Sequence, residues 1–154
     1  MNYYNYDIVL QEVPNEISLS FSITGCNLRC VGCHSPHLWK KSNGFELTDE
    51  VLKEIIDKYT GKITCVLFMG GEWYEKELIS KLDIINKLGY NTCLYTGLEI
   101  DEISDDIKDR LTYIKYGKWD NEKGGLDSDK TNQIFLSLKG NIKMNYLFNR
   151  DLVD

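Results

Sequence analysis

The chain has 154 residues, of which 42% are hydrophobic and 12% aromatic, and its formal net charge is −6. This length and composition are typical of one globular domain, which we expect to span residues 1–154. The acidic balance argues against a nucleic-acid-binding protein, because contacts to phosphates need a basic surface.

The amino-terminal stretch, MNYYNYDIVLQEV, favours a cytoplasmic protein. It has no basic region followed by an apolar run of signal-peptide length, and nowhere does the chain approach the roughly 20 apolar residues of a membrane span. We therefore expect no membrane association. In a reducing cytoplasm, clustered cysteines are better explained as metal ligands or redox groups than as structural disulfides.

Strand and helix patterns then alternate along the chain. EISLSFSI, residues 16–23, alternates apolar residues with serines and predicts a strand that runs into a cysteine-rich segment. A helix is predicted over residues 47–61, with Thr48 as its N-cap and Gly61 at its end. The later patterns are a buried strand in KITCVLFMGGE, a helix in YEKELISKLDIINKLG, a strand in NTCLYTG, a helix in EIDEISDDIKDRL, a strand in TYIKYG and a last strand in QIFLSL, Gln133–Leu138.

This alternation predicts an α/β fold with a parallel sheet. A closed barrel of eight strand–helix units takes about 250 residues, whereas this chain has room for about five or six units. We therefore expect a single-domain open partial (β/α) barrel of about five or six parallel strands with helices outside, or else a small doubly wound sheet. Four segments each follow a predicted strand: the cysteine-rich segment, MGGE, YTG and YGKW. We expect these four segments to meet at the carboxyl edge of the sheet.

The stretch TGCNLRCVGCHSPHLW, residues 24–39 and hereafter the cysteine segment, contains three of the five cysteines and both histidines. Cys65 and Cys93 lie far from it inside apolar runs, and we interpret them as buried packing residues. We also interpret the side chains of His34 and His37 as loop-packing or solvent-facing. Trp39 and Trp73 are expected to anchor loops.

Four interpretations of the cysteine segment are open. Three inert cysteines are hard to reconcile with their regular spacing. CVGCH matches a haem c attachment sequence, but this leaves Cys26 unused and needs an export signal. Structural zinc could use the cysteines with His34 or His37, although such sites usually draw ligands from two separate knuckles. An iron–sulfur cluster held by only three thiolates would leave one iron open to an exchangeable ligand.

Two motifs resemble those of the radical S-adenosylmethionine enzymes. CNLRCVGC is C-x₃-C-x₂-C, the motif of that family, and VLFMGGE places its GGE after a strand, as the family does. The resemblance implies a [4Fe–4S] cluster whose open iron binds S-adenosylmethionine. The residues implied are Cys26, Cys30 and Cys33 for the cluster; Gly70, Gly71 and Glu72 for the methionine end; backbone groups of Gly32, Cys33 and His34 for the adenosyl portion; and Thr96 for the ribose.

Within that family, the chain is most similar to the small activating enzymes of glycyl-radical proteins, and among these to the activases of anaerobic ribonucleoside-triphosphate reductase. The likeness rests on the short length, the cysteine segment ending in Trp39, YTG after a strand, and GGLDSDKTNQ. The chain departs from these activases at His34 and Ser35, where they often carry Tyr-Asn, and at TNQI, where their late motif ends in arginine.

This likeness implies an oxidoreductase that cleaves S-adenosylmethionine reductively. The resulting 5′-deoxyadenosyl radical would generate a glycyl radical on the large subunit of the anaerobic ribonucleoside-triphosphate reductase. The electron would come from a low-potential donor. Two alternatives stay open: a radical enzyme of the deazapurine-forming type that acts on a small molecule, and a zinc-binding interaction module.

Overall fold

The structure is a computed structural model, and it describes residues 1–149. Its strands are β1 (Asn2–Val9), β2 (Ser18–Ile23), β3 (Phe45–Glu46), β4 (Cys65–Met69), β5 (Asn91–Tyr95), β6 (Tyr113–Tyr116), β7 (Ile134–Ser137) and β8 (Ile142–Lys143). Its α-helices are α1 (Asp49–Lys58), α2 (Glu75–Lys87) and α3 (Asp105–Lys108). The eight strands form one sheet in the order β3-β1-β2-β4-β5-β6-β7-β8.

The centre of the sheet is parallel and its flanks are antiparallel. β2, β4, β5 and β6 run in the same direction, with Ser18 paired to Cys65 and Cys65 to Asn91 at the start of the register. β1, β3, β7 and β8 pair antiparallel to their neighbours. The α/β class is therefore confirmed, but the expected number of five or six parallel strands is wrong, because only four of the strands within residues 1–149 are parallel.

The connections at the two flanks contain no crossover helix, which explains why these strands pair antiparallel. Only residues 10–17 separate β1 from β2, which is too few for the helical crossover that joins parallel neighbours. The longer connection between β6 and β7, residues 117–133, contains no helix that could pack on the sheet and carry the chain back to the end where β6 begins. β7 therefore starts at the end where β6 stops and runs antiparallel to it. The sheet ends at β3 on one side and at β8 on the other, and no pairing between described strands closes it into a barrel.

The first two helices follow the sequence closely. Thr48 caps α1 as predicted, since its hydroxyl accepts a hydrogen bond from the Val51 backbone N–H at 3.1 Å. The third helix is much shorter than predicted because Ser104 starts a new cap by accepting from the Ile107 N–H at 3.3 Å. Among residues 1–149, no helix combines the length and apolar character needed to cross a bilayer.

The two faces of the sheet bury different side chains. One face packs against the helices through a large apolar core that includes Phe21, Phe68, Leu94 and Ile114 from the strands. The opposite face carries a smaller core of Val13, Cys65, Leu67, Cys93 and Phe135, and none of the three described α-helices contributes buried side chains to it. Cys65 and Cys93 are fully buried there, so the interpretation of these two as packing residues is confirmed.

Candidate functional site

The carboxyl ends of the four parallel strands surround a cavity of about 240 Å³. Each of the four loops or strand ends contributes to its wall: the cysteine segment after β2, the GGE stretch after β4, the YTG stretch after β5, and the end of β6. The wall includes the side chains or backbone of Cys26, Cys33, Gly70, Glu72, Thr96 and Lys115. The cysteine segment, MGGE and YTG therefore meet at one edge of the sheet as expected, whereas YGKW does not line the cavity and contacts the cysteine segment through Trp119 and His34.

The cysteine segment is tied to its surroundings by backbone hydrogen bonds. The N–H groups of Gly25 and Cys26 both donate to the Leu38 carbonyl, at 2.7 and 3.1 Å, which closes the segment into a loop. The indole Nε1 of Trp73 donates to the Thr24 carbonyl at 3.1 Å and attaches this loop to the stretch after β4. Trp73 is thus a loop anchor, as predicted.

The three cysteines of the segment are half-buried free thiols. Burial raises the pKa of Cys26, and the nearby Glu72 carboxyl acts in the same direction. Among residues 1–149, no three Cys, His, Asp or Glu side chains converge closely enough to hold a metal ion. Three thiols on one loop beside a cavity nevertheless provide the type of donor that an iron–sulfur cluster needs. Metal sites are commonly not preformed, and their ligands reach their final positions only when the metal binds.

The glycines after β4 adopt backbone conformations that favour glycine. Gly70 has φ of +83° and Gly71 has φ of +116°, both in the left-handed region. The Gly70 N–H donates to the Tyr95 carbonyl at 2.9 Å, which links this turn to the end of β5. The turn directs Glu72 into the cavity at the start of a 3₁₀ turn, Glu72–Tyr74.

Gly70→Ala is expected to lower the free energy of unfolding by about 2–5 kcal/mol, because it combines a left-handed backbone with steric overlap. A Cβ at this position would lie 2.4 Å from the Trp73 ring. Gly61→Ala is the matched control, since Gly61 has φ of +78° and nothing within 4 Å of the added Cβ. Urea unfolding of both variants measures the difference, and equal losses would contradict the steric account.

Half-buried Glu72 and buried Thr96 form a hydrogen-bonded pair in the cavity wall. Thr96, which is 3% exposed, donates from Oγ1 to Glu72 Oε1 at 2.7 Å and accepts from the Leu98 N–H at 3.0 Å. The second carboxyl oxygen of Glu72, Oε2, is buried without a hydrogen-bond partner among the described residues. Burial raises the pKa of Glu72, and the hydrogen bond from Thr96 opposes that change. The free oxygen is a ready acceptor for a ligand.

Lys115 is a site residue that the sequence patterns did not identify. It lies on β6 and lines the same cavity as Glu72, and its Nζ is 5.0 Å from the centre of the Tyr95 ring. Burial lowers the pKa of Lys115 to about 8, although nearby groups that include Glu72 partly oppose this. The cavity therefore combines a carboxylate and an ammonium group that form no direct ion pair with each other. Its sequence signal is a lysine inside the strand pattern TYIKYG, and the sequence does not show which way that lysine faces.

The remaining predicted residues lie around the cysteine segment. Gly32 has φ of +72°, and a Cβ there would lie 2.0 Å from Asn121 Nδ2, so it packs against the loop after β6. His34 is exposed and contacts the Trp119 ring, with 4.7 Å between ring centres. His37 is exposed too and contacts the Tyr4 ring at the same distance.

A second cleft, of about 550 Å³, adjoins the first cavity. The two share Tyr95 and Lys115 in their walls. These residues alternate along their strands with Leu94 and Ile114, which belong to the helix-side core, so the second cleft lies on the helix-free face. Its other walls come from the β1–β2 connection, the loop before β7 and the carboxyl end of the described chain.

Comparisons with known proteins agree with the donor set of the site. Residues 17–131 match the family described as 4Fe-4S single cluster domain, a range that includes every cavity residue named above. The chain is also 36% identical over 82 residues to the pyruvate formate-lyase-activating enzyme of Clostridium pasteurianum. That similarity covers 47% of the chain and 33% of the relative, so the chain spans about a third of the relative's length.

Proposed function

The chain belongs to the 4Fe-4S single cluster domain family, and on that basis we propose that it is a radical S-adenosylmethionine enzyme that activates a glycyl-radical protein. The observation that carries the proposal is the position of the three-cysteine loop beside a cavity that holds both Glu72 and Lys115. When bound, the reduced cluster supplies the electron that cleaves the sulfonium into methionine and a 5′-deoxyadenosyl radical. Residues 1–154 form the single radical S-adenosylmethionine domain of this proposal.

The charges in the cavity suit the methionine end of S-adenosylmethionine. This end is an amino acid and carries an ammonium and a carboxylate group. Glu72 Oε2 has no hydrogen-bond partner among the described residues and can accept from the ammonium, while Lys115 Nζ can donate to the carboxylate. Because both protein groups are largely buried, pairing with the ligand relieves part of their desolvation cost.

Other residues take supporting roles in the proposal. Cys26, Cys30 and Cys33 hold the cluster, and Gly70 and Gly71 allow the backbone to approach the methionine end closely. Backbone groups of residues 32–34 contact the adenosyl portion. Thr96 is expected to reach the ribose, and its hydrogen bond to Glu72 gives it a positioning role as well, in which Thr96 orients the carboxylate toward the ligand.

The second cleft favours a protein substrate over a small molecule. It opens on the helix-free face and meets the cavity at Tyr95 and Lys115, so a peptide segment laid along the sheet could bring a glycine to the cavity. The name of the Clostridium pasteurianum relative, an activating enzyme, supports the same class of reaction. Within that class, our proposed partner is the large subunit of anaerobic ribonucleoside-triphosphate reductase.

Affinity for S-adenosylmethionine is expected to fall on the alkaline side as Lys115 loses its proton. Because the pKa of Lys115 is lowered to about 8, its ammonium form is progressively lost above that pH, and each pH unit then costs up to about tenfold in affinity. On the acid side, the raised pKa of Glu72 means that its carboxylate is lost at a higher pH than that of an ordinary glutamate. Anaerobic equilibrium dialysis across pH measures both limbs.

Lys115→Met is the control for the alkaline limb, because the amino group of the ligand titrates near pH 8 as well. Methionine keeps the length of the side chain but has no charge to lose. The wild type should therefore lose affinity more steeply than this variant above pH 8. Parallel curves would contradict a contact between Lys115 and the ligand.

The proposed reaction is tested with anaerobically reconstituted protein, a chemical reductant and S-adenosylmethionine. We expect 5′-deoxyadenosine and methionine as products, and a glycyl-radical EPR signal when the large subunit of an anaerobic ribonucleoside-triphosphate reductase is added. Cleavage without a radical on the reductase would contradict the choice of partner. A colourless protein that binds zinc and cleaves nothing would contradict the enzyme assignment itself.

A further inference from the structure

We propose that the indole N–H of Trp39 donates a hydrogen bond to a sulfur atom of the cluster or of its cysteine ligands, and so makes the cluster easier to reduce. The inference rests on the proposed function, because it needs an iron–sulfur cluster on Cys26, Cys30 and Cys33. The observations behind it are an unpaired donor in the cavity wall, the hydrogen bonds that fix its backbone, and the contact that orients its ring.

Trp39 differs from the other two tryptophans of the chain in its N–H group. Nε1 of Trp73 donates to the Thr24 carbonyl at 3.1 Å, and Nε1 of Trp119 donates to Asn121 Oδ1 at 2.8 Å. Nε1 of Trp39 is buried and has no hydrogen-bond partner among the described residues. A buried donor without a partner has lost its hydration and gained nothing in return, so an acceptor that reaches it is favoured.

The unpaired donor belongs to the loop that carries the cluster ligands. Trp39 lines the same cavity as Cys26 and Cys33. The Leu38 carbonyl, one residue before Trp39, accepts from the Gly25 and Cys26 N–H groups at 2.7 and 3.1 Å, so the two ends of the loop are bonded together. The acceptors that a bound cluster brings to this loop are sulfur atoms, namely its sulfides and the cysteine thiolates.

Arg29 orients the Trp39 ring. The Arg29 guanidinium lies 5.0 Å from the centre of that ring, a distance typical of a cation–π contact. Arg29 also has φ of +49°, in the left-handed region that is uncommon for residues other than glycine. Such a backbone persists when surrounding contacts hold it, and the ring contact is one of them. The pair therefore fixes the Trp39 ring against the stretch between Cys26 and Cys30.

The methionine end of S-adenosylmethionine has other partners in the same cavity. Glu72 follows β4 and Lys115 lies on β6, and the proposed function assigns these two side chains to its ammonium and carboxylate groups. Trp39 comes instead from the cysteine segment. This division of the cavity wall favours sulfur over S-adenosylmethionine as the acceptor for the indole N–H.

A hydrogen bond to sulfur changes the reduction potential of a cluster. The reduced cluster carries one more negative charge than the oxidised cluster, so its sulfur atoms accept hydrogen bonds more strongly. The N–H of Trp39 therefore stabilises the reduced state more than the oxidised state. The result is a higher, less negative reduction potential than the same three cysteines would give alone.

The reduction potential of the anaerobically reconstituted protein, titrated without S-adenosylmethionine and followed by EPR, tests the inference. Trp39→Phe keeps an aromatic ring for Arg29 but removes the N–H. Its equilibrium constant for one-electron reduction should fall about tenfold, which is a shift of about 59 mV to more negative potential. Trp119→Phe is the matched control, because its N–H is already bonded to Asn121 and Trp119 does not line the cavity. The control should change the constant less than twofold.

The affinity for S-adenosylmethionine separates the two possible acceptors. Anaerobic equilibrium dialysis of Trp39→Phe should give a dissociation constant within twofold of the wild-type value. A weaker affinity with an unchanged potential would place the N–H on S-adenosylmethionine and overturn the inference. Equal potentials in the wild type and Trp39→Phe, or equal shifts in Trp39→Phe and Trp119→Phe, would overturn it as well.

A second replacement separates loss of the N–H from loss of packing. β-(3-Benzothienyl)alanine at position 39 keeps the shape of the tryptophan side chain but has sulfur in place of the N–H, so it should give the same shift as Trp39→Phe. If both replacements prevent cluster assembly while Trp119→Phe assembles it, Trp39 is needed for assembly and the effect on the potential is refuted. A wild-type protein that assembles no iron–sulfur cluster would overturn the proposed function instead.

Discussion

The Cys30→Ala variant is expected to lose the iron–sulfur cluster. Cys30 lies in the middle of the three-cysteine motif and is a half-buried free thiol on the loop beside the cavity. With only two thiolates left, the loop cannot hold a four-iron cluster, because three ligands are already one fewer than a closed cluster uses. Iron content and visible absorbance after anaerobic reconstitution should fall to background, and cleavage of S-adenosylmethionine should disappear with them.

Cys65→Ala is the control for this experiment. Cys65 is fully buried on β4, and burial raises the pKa of its thiol to about 12, so it is a poor candidate for a ligand. This variant should assemble the cluster normally and lose only about 1 kcal/mol of stability from the small cavity left behind. Normal iron content in Cys30→Ala, or loss of iron in a folded Cys65→Ala, would refute the ligand assignment.

The Glu72→Ala variant should keep the cluster but bind S-adenosylmethionine roughly 10- to 100-fold more weakly, since hydrogen bonds to charged groups contribute about 1.5–3 kcal/mol. Glu72 lies after β4, outside the cysteine segment, and its Oε2 atom is free to accept from the ligand. The affinity is measured by anaerobic equilibrium dialysis. Iron content is measured on the same samples, so that loss of the cluster cannot be mistaken for loss of ligand binding.

Glu75→Ala is the matched control for Glu72→Ala. Glu75 is exposed at the first residue of α2 and does not line the cavity of the cysteine segment. Its removal weakens a favourable helix-dipole interaction of about 0.3–1 kcal/mol and should leave ligand affinity unchanged. Unchanged affinity in Glu72→Ala, or an equal loss in both variants, would remove Glu72 from the ligand site.

The sequence predicted those helices and strands that can be identified from a short run of neighbouring residues. α1 was predictable because an N-cap at Thr48, an apolar stripe and Gly61 all lie within one short stretch. β1 was missed, since its polar residues show no clear alternation and it is held by long-range pairing with β2 and β3. The antiparallel direction of β7 was equally invisible, because direction depends on how the chain returns to the sheet rather than on the strand residues.

The sequence predicted those site residues that stand out by their spacing or by their position directly after a strand. The cysteines stand out by their spacing, and Gly70 and Gly71 by their place directly after an apolar strand. The hydrogen bond from Thr96 to Glu72 could not be anticipated, since it joins the ends of two strands that only the folded sheet brings together. Lys115 was missed for the same reason, because a single lysine in TYIKYG acquires meaning only once its inward direction is known.

The central claim is that the cysteine segment holds a cluster with an iron open to S-adenosylmethionine. Low-temperature EPR of the anaerobically reconstituted and reduced protein, recorded with and without S-adenosylmethionine, tests it most directly. We expect a [4Fe–4S]⁺ signal whose shape changes when S-adenosylmethionine is added. A protein that shows no cluster signal and binds zinc instead, or a cluster signal that does not respond to S-adenosylmethionine, would contradict the claim.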